Sequence, residues 1–483
     1  MVRAIFSWVV VLFFSLSLQA QNGTDRDLYP ERLHSDIELL RTALHEAHPD
    51  PYRYHTKAEL NELIDDMIAA IDRPMNIVEF QQALFPILKA VGDAHCIAQW
   101  PTDYAEYLRT KALLIPLQVR ILPEGVYVED ELKGFRSIPL GSRIVAINGR
   151  PIEEIMDRLL GMVVTDGANR TYAERLVEQE FPQRYHTFIE HAAAYRVTYM
   201  TPAKTEGVQT VFAMSGDDIA RTRKPAGASL LPWGAQLEAE SGTMWVTLRT
   251  LEPDSLIQAG QRADRFLQAM LAEADKNKAR TMVLDLRGAG GRELAVAEMV
   301  FAAIAKTPFQ VLSDMVVRSI SPPEERASLS VPEDFYASSD LRFLPNAQGA
   351  YRLPPNDPRL AEHAPSEKGF QGKVYVVCDG MTRDAAAALV MMARRSRRAR
   401  VVGEETGSNA FGFTGGPEWI VTGPGSGMRF HIPLLKYVPA GRGEGPMDRG
   451  EQPNHQAYST PGATAQGRDP IRSALLEMIR ELE

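Results

Sequence analysis

The sequence predicts a mixed α/β protein of several domains, and three observations carry that expectation. Its 483 residues exceed what one hydrophobic core fills, because domains cluster at about 100 to 200 residues. Apolar spacing changes along the chain, from helical in the first hundred residues, to short alternating runs, to strands alternating with helices. The composition, 45% hydrophobic and 24% charged, is that of an ordinary folded protein and leaves no low-complexity tract to read as disorder.

Residues 1–20 read as a secretory signal peptide. Arg3 precedes an apolar run from Ala4 to Leu18, and small Ala20 offers a cleavage point before Gln21. The run is short for a spanning helix, which requires about 20 apolar residues. The expectation is therefore a periplasmic or secreted protein with no membrane span after cleavage. A formal charge of -9 and a pI near 5.7 argue against nucleic acid as a partner, since binding phosphates needs a concentrated positive surface. The one basic cluster, Arg394, Arg395, Arg397, Arg398 and Arg400, follows an Ala/Met-rich helical stretch, where cations complement the negative end of the helix dipole.

Residues 21–100 are expected to be a helical domain: Ile37, Leu40 and Leu44, then Leu60, Ile64 and Met67, then Phe80, Leu84 and Ile87 recur at helical spacing. His45 and His48 lie one turn apart, but a zinc site takes three or four ligands, so capping or packing is their expected role. Residues 101–221 are expected to be a β-rich module, with strands around Ile115–Ile121, Gly125–Val128, Arg143–Ile147, Tyr195–Met200 and Val208–Met214, and a helix at Ile152–Leu160. Asn148-Gly149 marks a tight turn. Residues 222–483 are expected to be an α/β domain. It opens on a Pro/Gly-rich linker at Thr222–Gln236 and holds an irregular insert from Val316 to Phe370. Cys96 and Cys378 allow one bridge in an oxidising compartment, although Cys378 also reads as a small buried filler at a strand end.

Two segments have the look of a reaction centre. The apolar strand Met282–Leu284 runs into Asp285-Leu286-Arg287-Gly288-Ala289-Gly290-Gly291, whose glycines let a backbone approach a ligand. The strand ending at Cys378 turns through Asp379–Arg383 into a helix of small residues headed by Asp384. A helix N-terminus stabilises an anion there, and Asp is also among the best plain caps.

Read with Gly92-Asp93-Ala94-His95-Cys96, Val401–Gly407 and Arg449–Asn454, these segments resemble, block by block and in order, the C-terminal-processing (tail-specific) serine peptidases, on their tricorn-like histidine branch. Ile138–Gly149 looks like a segment of a PDZ domain, with Ser142 where an Asp is usual. The resemblance implies a PDZ-like module, which binds extended peptide ends, and a catalytic domain with the ClpP/crotonase-like fold. It implies peptide-bond hydrolysis with His95 as general base and the amides of Gly288 and Ala385 as oxyanion hole. An orienting acid would fall near Glu444 or Asp448. The lysine of the other branch is absent from Thr406–Ala410, and no cofactor is implied.

The chain departs from that pattern at its centre, since Asp384 stands where the family carries its serine. A carboxylate attacks amides poorly and its acyl product is an anhydride, so removal of the serine leaves residual catalysis at most. The first expectation is a protein that binds extended or unfolded polypeptide on a peptidase scaffold. The alternatives are a hydrolase using Thr382, Ser408 or water activated by Asp384 with Glu404 or Glu405, and a structural envelope component.

Overall fold

The computed structural model describes residues 26–222, 231–322, 329–330, 333–337, 343–347 and 349–481; the signal-peptide reading lies outside them. Helices Pro30–Glu46, Lys57–Ala70 and Ile77–Val91 form where helical spacing predicts them. The second and third open on capping boxes, Thr56 with Glu59 and Asn76 with Glu79, each answering two amides that the helix leaves unpaired. The third stops at Gly92, φ 64, where a Cβ would meet the Tyr54 ring at 2.7 Å. A left-handed residue ends the helix cleanly and sends the chain through Asp93–His95 into the strand Ile97–Gln99. That strand pairs with Arg429–His431. The helices do not close a core of their own: Leu33, Ile37, Phe80 and Leu84 pack in one cluster with Trp419, Phe430 and Ile432.

The β-rich segment folds as an antiparallel sheet in the order Leu117–Leu122, Gly125–Glu131, Arg143–Ile147, Ala194–Met200, Glu206–Phe212. Asn148 and Gly149, at φ 50 and 81, make the expected two-residue turn into Arg150–Pro151. A 19-residue helix, Arg170–Phe188, is absent from the sequence reading. Pro182 and a non-helical Glu180 interrupt it, which blurs the periodicity. It lies along the edge strand Leu117–Leu122. There Glu178 Oε1 accepts the Ile121 N–H and Arg175 donates to the Ile121 carbonyl, both at 2.5 Å. The Ile121 amide and carbonyl, which an added peptide strand would use, are thus filled by side chains of the module's own helix.

The α/β part is a six-stranded sheet in the order Trp233–Glu238, Thr243–Leu248, Thr281–Asp285, Lys373–Cys378, Arg400–Gly403, His455–Gln456. Only the first pair is antiparallel. Its first strand lies in the stretch expected to be linker. Trp233 is buried, and its indole N–H donates to the Thr250 carbonyl at 2.6 Å, which is sufficient reason for order. The strand Leu312–Val317, which runs into the insert, and Tyr351–Arg352 within it join a second, antiparallel sheet built on the long hairpin Phe413–Thr422 and Arg429–Pro439.

Cys96 and Cys378 are free and buried in two different cores, so they do not form the bridge that was left open. The basic cluster is largely spent inside the fold: Arg394 and Arg395 pair with buried Glu451 at 2.7 and 3.0 Å, and Arg398 donates to the carbonyls of Ile304 and Phe370. Among the described residues no helix is long and apolar enough to cross a membrane.

Candidate functional site

Parallel strands direct their C-terminal ends to one edge of a sheet, where α/β proteins place their ligands. Thr281–Asp285 delivers the Gly288–Gly291 loop to that edge, and Lys373–Cys378 delivers the turn carrying Asp384. Backbone bonds clamp loop to turn: Arg383 N–H to Ala289 carbonyl at 2.9 Å, and Ala385 N–H to Gly291 carbonyl at 3.0 Å. Asp384 itself has φ 54, left-handed backbone that few non-glycine residues adopt and that collects at functional sites. It heads the helix Asp384–Arg395 without acting as its cap, because the N-cap position is Arg383, whose side chain makes no cap bond.

The Asp384 carboxylate faces His95: Oδ1 lies 3.1 Å from Nε2. Behind the imidazole, Thr414 Oγ1 lies 3.3 Å from Nδ1 and donates to Asp93 Oδ1 at 2.7 Å. Asp93 Oδ1 also accepts the His95 N–H at 2.8 Å, and Asp93 Oδ2 receives His48 Nε2 at 2.9 Å. His48 accepts the Asp50 N–H through Nδ1, which fixes Nε2 as its donor. His45 instead meets Asn61 and Tyr52, so the two histidines do not converge on a metal. Asp166 anchors the Asp93–His95 turn from the β module, accepting the Ala94 N–H at 2.8 Å and the Asn409 N–H at 3.1 Å.

Arg383 completes the cluster. Its guanidinium lies over the Tyr172 ring at 4.8 Å, donates to the Tyr172 hydroxyl at 2.7 Å and places Nη2 3.1 Å from His95 Nε2. Burial disfavours every charge here, and the pairings reverse that penalty. Burial lowers the His95 pKa, but Asp384 and then Asp93 raise it to about 10, with Arg383 opposing. Burial raises Asp384, but His95 and Arg383 bring it below the ordinary carboxylate value. Burial raises Asp93 too, and hydrogen bonds from His48 and His95 hold it well below that value. Asp166 goes up, through burial and the Asp93 charge. The two carboxylates beside His95 favour its imidazolium form.

Asp93, His95 and Asp166 each bring one ligating atom within 4.8 Å of the others. Both Asp166 oxygens and both Asp93 oxygens already accept protein hydrogen bonds, and Arg383 supplies balancing positive charge. The set is a charge network rather than a metal centre.

Several expected residues lie elsewhere or are engaged. The Gly288 amide donates to Asp379 Oδ1 at 2.9 Å and the Ala385 amide to the Gly291 carbonyl, so neither is free as an oxyanion donor in this arrangement. Within the loop Leu286–Gly291, the amides with no hydrogen-bond partner among the described residues are those of the adjacent Gly290 and Gly291. Glu444 is exposed and pairs with Arg394 at 2.9 Å, ten residues or about 15 Å along the helix from Asp384. It does not reach His95. Asp448 meets Ala168 through its backbone carbonyl at 2.9 Å. The acid beside His95 is Asp93, two residues before it. Thr382 is sealed, donating to the Leu286 carbonyl. Glu404 and Glu405 are turned to Arg175 and Arg449. Ser408 does belong: its Oγ accepts the Asp384 N–H at 2.8 Å and sits 3.4 Å from Asp384 Oδ1.

The arrangement places a carboxylate at a strand-to-helix turn against a histidine that is itself backed by Thr414 and Asp93. The profile of peptidase family S41 matches residues 252–432. Among solved structures, a point mutant of CPAF is similar at 12% identity over 94% of this chain and 97% of that chain, with a TM-score of 0.64. Mature CPAF matches at 12% identity over 94% and 97%, TM-score 0.62, and CPAF complexed with lactacystin at 12% over 94% and 98%, TM-score 0.61. No curated protein matches the chain by sequence. Together these are a distant, consistent match to the S41, tail-specific-protease superfamily. At such identity the structural likeness shows a shared fold.

Proposed function

We propose that the chain is an exported protein that captures extended or unfolded polypeptide on a tail-specific peptidase scaffold and does not cleave it. The observation that carries this reading is the 3.1 Å contact between Asp384 and His95. It leaves His95 protonated, hence no base, and puts a fixed negative charge where an amide oxyanion would develop. The binding role follows from the scaffold's resemblance to enzymes that handle extended chains.

The test compares the purified chain with Asp384→Ser and with Asp384→Ser/His95→Ala on fluorescently labelled, reduced casein. Saturable binding by the parent without fragments, with fragments only from the single variant, is the expected result. Cleavage by the parent, or absence of binding, rejects the proposal.

A further inference from the structure

The site leaves over one reactive atom. Asp384 Oδ1 is held by His95 and Ser408, while Oδ2 has no hydrogen bond among the described residues and is not a sealed atom. Oδ2 sits beside Gly290, 3.7 Å from where a Cβ would stand. The Asp384 and His95 side chains retain 16% and 11% of their exposure, so both keep an edge toward solvent. A carboxylate that attacks an amide carbonyl makes an anhydride, which reverts. One that attacks a saturated carbon makes an ester, which persists until water cleaves it. The turn therefore presents a competent nucleophile for a different electrophile.

We propose that Asp384 and His95 hydrolyse small epoxides through an alkyl ester on Asp384. Oδ2 attacks a ring carbon, the strained carbon–oxygen bond breaks, and the departing oxygen takes the Nε2 proton of the His95 imidazolium. Esterification removes the Asp384 charge that holds this proton, while burial and Arg383, 3.1 Å away, continue to oppose it; neutral His95 is now a base. It takes a proton from water, whose oxygen adds to Cγ of the ester. The charge that develops on Oδ1 is met by the Ser408 hydroxyl, 3.4 Å away at rest. Collapse expels the second alkoxide, carrying the original Oδ2, and His95 gives it the proton taken from water; the new Asp384 carboxyl, which carries the hydroxyl left by that water, then passes its proton to His95 Nε2. One epoxide and one water give one diol, and Asp384 and His95 end as they began.

An epoxide suits this pair better than an alkyl halide. Its leaving oxygen needs the proton that His95 stores, whereas a halide takes none and leaves His95 charged when water must be activated. Asp93 and Thr414 hold the ring in position throughout. This activity is independent of polypeptide capture and is measured separately from it.

The experiment incubates the purified chain with excess styrene oxide in water enriched in heavy oxygen. The expected result is diol above the buffer rate, unlabelled in the first turnover, with heavy oxygen in the Asp384 carboxylate of the digested protein. His95→Gln, which lacks both the proton donor and the base, should lose the diol without forming an adduct, whereas parent quenched in acid during turnover should carry the mass of one styrene oxide on the peptide containing Asp384. Absence of both diol and adduct, in parent protein with native circular dichroism, overturns the proposal. So does parental diol formation by Asp384→Asn, or label confined to another residue.

Discussion

The guanidinium of Arg383 is clamped on the Tyr172 ring at 4.8 Å, and this one contact ties the Asp384 turn to the helix Arg170–Phe188 of the β module. Asn169 reinforces the junction by donating to the Thr406 carbonyl at 2.7 Å. Module and Asp384 turn are one mechanical unit at this point.

Tyr172→Phe keeps the ring under Arg383 and deletes a hydrogen bond to a charged group. Such a bond is worth about 1.5–3 kcal/mol, and urea unfolding should show a loss in that range. Tyr172→Leu also removes the cation–π contact, worth about 2 kcal/mol when desolvated, and should cost more. Equal loss in the two variants would mean that the stacking contributes nothing.

The charges at His95 and Asp384 predict a bounded pH window. The His95 pKa is raised from 6.5 to about 10. Its contribution is complete below the unfolded value and is lost as pH rises through about 10. Asp384 is lowered from 3.8, so its contribution is present above that value and is lost on acidification. Asp384→Asn, which tolerates left-handed backbone, should destabilise most near neutral pH, by about 3–5 kcal/mol as for a broken buried pair. The gap between parent and variant should close toward both extremes. A gap that is flat with pH, measured by thermal unfolding, would rule out the ion pair.

Glu178 carries the opposite sign. Burial raises its pKa from 4.5 to about 7 against the pull of Arg175 and Arg120, with Glu404 adding to the rise. A raised carboxyl pKa means stability that is complete below 4.5 and lost as pH climbs through about 7. Glu178→Gln removes this liability, so the variant should improve relative to the parent between pH 5 and about pH 8. It should also bind extended polypeptide more tightly if the filled edge at Ile121 is what an incoming strand displaces. Anisotropy with labelled, reduced casein reads this directly.

How much of this was legible in the sequence depends on how local the cause is. The strand-to-turn-to-helix passage into Asp384 and the Asn148-Gly149 turn are written in a few adjacent residues, and the structure has them. The hairpin Phe413–Thr422 and Arg429–Pro439 was overlooked because Gly415, Gly416 and Pro417 with a register shift break its alternation. The site divides the same way. His95 and Asp384 were found from their segments, and Asp93 stood two residues from His95 unread. Arg383 precedes Asp384 with no local signal of its role. Thr414 and Asp166 reach the cluster only through long-range pairing, for which no local pattern exists. The Gly288 and Ala385 amides are already engaged, which spacing does not reveal, because it locates an amide without saying which carbonyl or carboxylate holds it.

Asp93 and Glu444 make the last prediction, since sequence spacing favours one as the orienting acid and geometry the other. Asp93 is buried and accepts from His48, the His95 amide and Thr414. Asp93→Asn exchanges a charge matched to those donors for an amide that must turn its NH2 toward one of them, and a broken buried pairing costs about 3–5 kcal/mol. The His95 pKa should also fall, because one of the two carboxylates that raise it is gone; histidine NMR titration reads that shift. Glu444 is 74% exposed and touches Arg394 alone, whose other partner, Glu451, remains. Exposed pairs contribute little, so Glu444→Gln should leave both the melting temperature and the His95 titration where they were. A shifted His95 titration in Glu444→Gln, with none in Asp93→Asn, would return the acid's role to Glu444 and require the C-terminal loop to swing across the helix.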